Sequence, residues 1–369
     1  MPCISSNSLW QSLSCSATAM ENENEPKEGS MEMSNLEAFL EATTPHLRWR
    51  SAPMDCFEAP SSVWQLDKKH VVDYFTLEDL WQHYSESSAY GIAVPLRFDQ
   101  SAAAAGDNTI TQHFVPYLSA IQIYTSAKTP IPTRSIGGSE TDSWSDDSIA
   151  DKLSRSWDAA SDDSSHEEFD FRNPPKQTGY LNFQYTEWDP PYERPPIADK
   201  VAELAQDYPC LMSLKSAELS PWSWLSVAWY PIYHIPYNGS LKGTSACFLT
   251  YHSISSVFQD KILQCGRCAD SDGSDSERTV AVSPFGLATY RMEGKLWRDE
   301  EPSSSSCPAA VGVGAGSSSN NDNNKRRRRL CDELYWAASS WLKQVGVHHP
   351  DLNYFTSHGH GSAAITSRR

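Results

Sequence analysis

The chain has 369 residues and a net charge of −17, and only 39% of its residues are hydrophobic although 11% are aromatic. Such an acidic chain lacks the basic face that phosphate neutralisation requires, which excludes general nucleic-acid binding by the whole surface, and no run approaches the ~18 apolar residues of a membrane-spanning helix. Few apolar residues beside many aromatics indicate a core diluted by polar insertions.

Residues 1–33 open without Lys, Arg or a secretory apolar run until the acidic ENENEPKE stretch, so they read as a disordered tail and not as a signal or transit peptide. Ser34 then precedes NLEAFLE with Glu37 three positions on, a capping-box pattern that predicts a helix. Thr76 introduces LEDLWQHYSESS in the same way, with Glu78 and Asp79 in its first turn and Leu77, Leu80, Trp81 and Tyr84 at helical spacing. Further helices are expected at 197–207 and 330–345, the second closed by Gly346. Aromatic and β-branched runs predict strands at 114–125, 180–186, 222–233, 245–255 and 279–292. The last three follow one another across turns or a polar loop, which favours an antiparallel sheet. The expected fold class is α+β: a central, mostly antiparallel, aromatic-rich sheet flanked by N- and C-terminal helices.

Insertions at 135–175, 265–278 and 302–329 lack the periodic apolar residues that offset ordering entropy, as does the tail at 356–369. Residues 135–170 hold eleven acidic residues against Lys152 and Arg155, a net of −9 and more than half of the total charge. What remains is one domain over 34–355, interrupted by those insertions. The nine cysteines are odd in number and lack framework spacing, which indicates a reducing compartment. Cys265-Gly-Arg-Cys268 has no second pair to complete a zinc site, and His348, His349, His358 and His360 read as tail without a ligand set. No metal or cofactor is expected.

The run LKSAELSPWSWLSVAWYPIYHIP followed by FLTYHSIS resembles a plant family known only as domain of unknown function 789. SNLEAFLEATTP, YFTLEDLWQHYSESSAYGIAVPL, HFVPYLSAIQIYT, PPYERPPIADKV and WLKQVGVHHPDLNYF match it in order, across about residues 34 to 355. The resemblance implies a plant protein and one shared domain; it carries no activity, cofactor or catalytic residue to transfer.

Four constellations remain. Trp222, Trp224, Trp229, Tyr230, Tyr233 and Tyr237 crowd sixteen residues punctuated by Pro221, Pro231 and Pro236. Trp222 and Trp224 share one strand face and Trp229 the other, so the segment is either a strand covered on both faces or a groove for an extended peptide. Lys325, Arg326, Arg327, Arg328 and Arg329 suit the acidic groove of a nuclear import receptor; the bland reading is a solvated charge run, and no aromatic platform accompanies it for RNA. Ser139, Ser143, Ser148, Ser164 and Ser165 each have an acidic residue three positions on, the spacing read by acid-directed kinases. His234, His252 and Cys247 are the polar groups of a candidate pocket beside the sheet, although packing is the commoner fate of such residues. Pro190-Pro191-Tyr192 reads as a turn. Nucleophile elbows and phosphate-binding glycine loops are missing from the sequence. The expectation is a non-enzymatic regulatory or interaction protein of nucleus and cytoplasm with protein partners; the alternatives are an enzyme or small-ligand binder, and RNA association through the basic run.

Overall fold

Ser34 and Thr76 start the two N-terminal helices by the mechanism their spacing predicts. The Ser34 hydroxyl accepts from the Glu37 amide while the Glu37 carboxylate accepts from the Ser34 amide at 2.9 Å, and Thr76 and Asp79 repeat the exchange. The structure, a computed structural model, describes residues 33–57, 70–97, 109–126, 179–232, 245–259, 278–292, 296–297 and 318–357. Helix α1 spans Asn35–Thr43 and α2 spans Leu77–Tyr90, with short strands β1 (His46–Arg48), β2 (Arg50–Pro53) and β3 (Val71–Tyr74) between them. Strands β4 (Ile92–Arg97), β5 (Thr109–Thr125) and β6 (Tyr180–Thr186) follow, then α3 (Ile197–Asp207) and α4 (Cys210–Ser213). Strands β7 (Trp224–Pro231), β8 (Cys247–Ser253), β9 (Thr279–Ala281) and β10 (Pro284–Tyr290) lead to α5 (Ser318–Val345) and α6 (Pro350–Ser357).

The main sheet has six strands in the order β10-β8-β7-β5-β4, every pairing antiparallel, with β6 also on β5. Strand β5 is 17 residues long and serves two partners on one edge. Phe114 pairs with both Ile92 and Pro231, and Ala120 with both Thr186 and Ser226, so β4 and β6 lie end to end opposite β7. The expected α+β class with a central antiparallel, aromatic-rich sheet is therefore the observed one.

Every residue of β8 is buried, as are Trp224 to Trp229 of β7. A central strand can be buried throughout only if both sheet faces are covered. On one face Leu225, Val227, Trp229 and Phe248 join Phe39 of α1 and Leu80, Trp81 and Tyr84 of α2. On the other, Trp224, Ala228, Leu249 and Tyr251 join Trp341 of α5 and Phe355 of α6. The parity of Trp224 and Trp229 deduced from the sequence thus sends them into two different cores.

Helix α5 begins at Ser318, well ahead of the leucine at which apolar periodicity begins. The segment just ahead of that leucine, Lys325–Arg329, consists of Lys and Arg, which are good helix formers. Lys325–Arg329 accordingly lies on the helical path, and Arg328 and Arg329 are exposed. Gly346, at φ +65°, ends the helix as expected. Further along, Ala338 meets β10 where Gly286 leaves no room: a Cβ at 286 would lie 2.8 Å from the Ala338 Cβ. Gly286→Val is expected to destabilise the protein by about 1–3 kcal/mol, read as a lower urea midpoint with secondary structure retained.

Candidate functional site

Strand β5 carries a bulge at Ser119: Leu118 pairs with Val227 and Ala120 with Ser226, leaving the serine between them without a β7 partner. A bulge sets two consecutive side chains on one side of a strand and re-aims the first. Ser119 thereby points its hydroxyl into a polar cluster beneath α6, and its carbonyl accepts from the Glu187 amide at 2.9 Å.

The cluster joins three distant stretches of chain. Arg194 grips Asp351 with two parallel hydrogen bonds of 2.7 and 2.8 Å, the side chains being only 4% and 5% exposed. Ser119 Oγ donates to Asp351 Oδ2 and lies 2.9 Å from His349 Nε2, while Tyr251 Oη lies 2.7 Å from His349 Nδ1. These contacts determine the proton positions. The serine's one proton goes to the carboxylate, which can only accept, so His349 Nε2 donates to Ser119 Oγ and Nδ1 accepts from Tyr251. A neutral imidazole results, consistent with burial, which pushes the His349 pKa down to about 4.

Serine, histidine and aspartate thus meet, wired in the reverse sense to a hydrolytic triad. There the carboxylate orients histidine, and histidine removes the serine proton. Here the carboxylate takes the serine proton's hydrogen bond, its charge is matched by Arg194, and histidine donates to the hydroxyl. The arrangement holds chain together and leaves Ser119 unactivated as a nucleophile.

What it holds is the loop after β6. Glu187, 4% exposed, accepts from the amides of Trp188 and Asp189 at 2.9 and 3.0 Å and from Tyr185 Oη at 2.7 Å. Arg194 Nε donates to the Asp189 carbonyl at 2.6 Å, and Pro191–Glu193 form one 3-10 turn, in agreement with the expected turn at Pro190-Pro191-Tyr192. The loop is fastened at both ends by buried charge, and its outer side chains face solvent: Trp188 is 69% and Tyr192 84% exposed, and Asp189 and Glu193 are exposed as well. The Trp188 indole lies nearly parallel to the His348 ring, with centroids 6.1 Å apart.

The residues singled out from sequence are distributed otherwise. Trp224 and Trp229 are fully covered and Trp222 nearly so; Tyr230 is partly buried, while Tyr233, Tyr237 and His234 lie outside the described residues. Cys247 and His252 fall on opposite faces of β8 and do not converge. Cys247 belongs to the Trp341 core, where burial pushes its thiol up to about 12. His252 bonds the Val282 carbonyl at 2.8 Å and Thr250 Oγ1 at 2.9 Å on the other side, and burial lowers it to about 4. The five serines, Cys265 and Cys268 also lie outside the described residues; among these no group of three or more His, Cys, Asp or Glu is placed to hold a metal.

The tail reading is corrected for His349, which is 3% exposed and central to the cluster, while His358 and His360 lie outside the described residues. Arg194, Asp351, Ser119 and Glu187 were not recognisable beforehand. The only signal was single charges set among prolines and aromatics, in PPYERPP and HHPDLNYF.

Asp351→Ala strands a buried guanidinium and is expected to cost about 3–5 kcal/mol in urea unfolding, whereas Arg194→Met with Asp351→Leu together recovers most of that loss. Among the histidines that burial depresses, His349 and His252 are the two lowered to about 4, and each adds to the pH response. The unfolded chain takes up their protons at about 6.5, before the folded one does. Their stabilisation is therefore complete above about pH 6.5 and declines towards pH 4, by up to about 1.4 kcal/mol per pH unit for each ring. His349→Gln removes one ring's share of that slope when urea midpoints are compared at about pH 7.5 and about pH 5.

No curated protein and no solved structure matches the chain. One family model does, over residues 34–355, from α1 to α6, with the description "Protein of unknown function (DUF789)". That span contains both sheet faces, the Arg194–Asp351 cluster and the fastened loop, and the chain belongs to the DUF789 family.

Proposed function

We propose that this chain is a non-enzymatic interaction protein of the plant nucleus and cytoplasm, whose partner docks on the surface presented by residues 188–193. The supporting observation is the loop itself. Buried ionic contacts are expensive to form, and here Glu187, Arg194 and Asp351 fix a segment whose outward side chains are two exposed aromatics and two exposed acids. A rigid aromatic loses little entropy on binding, which is why Trp and Tyr dominate the energetics of protein interfaces. The coverage of Trp222, Trp224 and Trp229 directs this reading to residues 188–193.

The basic run Lys325–Arg329 supports import by a nuclear receptor, with Arg328 and Arg329 exposed. Ser139, Ser143, Ser148, Ser164 and Ser165 are proposed substrates of an acid-directed kinase, each phosphate adding about −1.5 to −2 to an already acidic stretch. The opposed faces of Cys247 and His252 weigh against a catalytic pocket built from that pair. RNA association through the basic run is the weaker alternative and would show steep salt dependence.

Trp188→Ala with Tyr192→Ala is expected to abolish capture of the partners that wild-type protein retains from plant extract, with thermal unfolding unchanged; undiminished capture overturns the docking surface. A reporter fusion carrying Ala in place of Lys325–Arg329 is expected to shift from nucleus to cytoplasm, as scored by microscopy.

A further inference from the structure

The side chains on the fastened loop specify what they bind. Trp188 offers an indole face in solvent, and an indole is the best aromatic partner for a cation. Asp189 precedes and Glu193 ends the 3-10 turn that carries Tyr192, and no cation among the described residues pairs with either carboxylate. A planar guanidinium suits both kinds of group, since it stacks on aromatic rings and hydrogen-bonds carboxylates, whereas an ammonium serves only as a point charge. The loop cannot fold away from such a ligand, because Glu187 holds the Trp188 and Asp189 amides and Arg194 holds the Asp189 carbonyl.

Two sources of arginine are on hand, and charge and distance separate them. The chain's own Lys325–Arg329 lies towards the far end of α5 from His348, the residue beside Trp188. From Arg329 to Val345 the helix rises roughly 24 Å at about 1.5 Å per residue, which keeps the run of one molecule away from its own loop. A second copy brings another net charge of −17 with its basic run and is repelled, while a cationic partner is attracted.

Resting on the interaction reading above, we infer that the Trp188–Glu193 loop is a docking site for an arginine-rich segment of a separate, basic protein. The probes are fluorescein-labelled peptides of about five arginines or about five lysines, titrated with the full chain and followed by fluorescence anisotropy. The arginine peptide is expected to bind several-fold more tightly than the lysine peptide. Trp188→Ala, and separately Asp189→Asn with Glu193→Gln, are each expected to weaken it about five- to tenfold with unchanged circular dichroism. Equal binding by all variants, or equal affinity for the two peptides, overturns the inference, since the acidic chain as a whole is then the attractor. If Ala in place of Lys325–Arg329 markedly tightens peptide binding, the loop is occupied by the basic run of another copy and the separate partner is overturned. Extract capture that depends on Trp188 while the arginine peptide ignores it defeats this ligand assignment alone. Capture that is indifferent to Trp188 defeats the interaction reading itself.

Discussion

A strand with a tryptophan on each face must have a cover on each side. Trp224 and Trp229 stand on opposite faces of β7, and the rest of the fold follows from hiding both. The N-terminal helices bring Phe39 and Tyr84 to within 6.2 and 6.1 Å of the Trp229 ring, measured between centroids. The C-terminal helices bring Trp341 against Trp222 at 5.0 Å. Neither set suffices alone, because leaving one side open would expose a row of large apolar side chains to water. The chain therefore needs helices at both of its ends, with the sheet between.

Covering the second face creates a polar problem, and the Arg194 cluster is its solution. The entry into α6 passes over Tyr251 and Ser119, whose hydroxyls bond His349 and Asp351 there. His349 takes the Tyr251 hydroxyl, Asp351 takes the Ser119 hydroxyl, and Gln122 Oε1 accepts from Trp224 Nε1 at 2.9 Å and Tyr124 Oη at 3.0 Å. The carboxylate then requires a cation, which Arg194 supplies. The same guanidinium fastens the 188–193 loop, so the core of the second face and the shape of that surface are parts of one network.

Features governed by neighbours in sequence were legible in advance. The Ser34 and Thr76 caps depend on residues three apart, and α3 begins and ends where its apolar period does. Strand parity set Trp224 against Trp229, whereas Trp222, expected on the same strand, lies in the turn before β7. Legibility stopped where partners are distant: Arg194 and Asp351 are separated by 157 residues, and neither position has a periodicity to betray the other. Strict alternation along 114–125 also fails at Ser119, because a bulge is a property of the pair of strands and not of one strand's sequence. Cys247 and His252 looked like neighbours in a pocket, yet an odd spacing of five along one strand sends them to opposite sides of the sheet.

The C-terminal clasp has a consequence for how the protein is made. Asp351 reaches back 232 residues to Ser119 and 157 to Arg194. During synthesis the sheet can form, and its first face can be sealed by α1 and α2, long before α5 and α6 exist. Until those helices emerge, Trp222, Trp224 and Tyr251 lie open on a half-covered nascent domain, the kind of surface that chaperones bind and that aggregates when they do not.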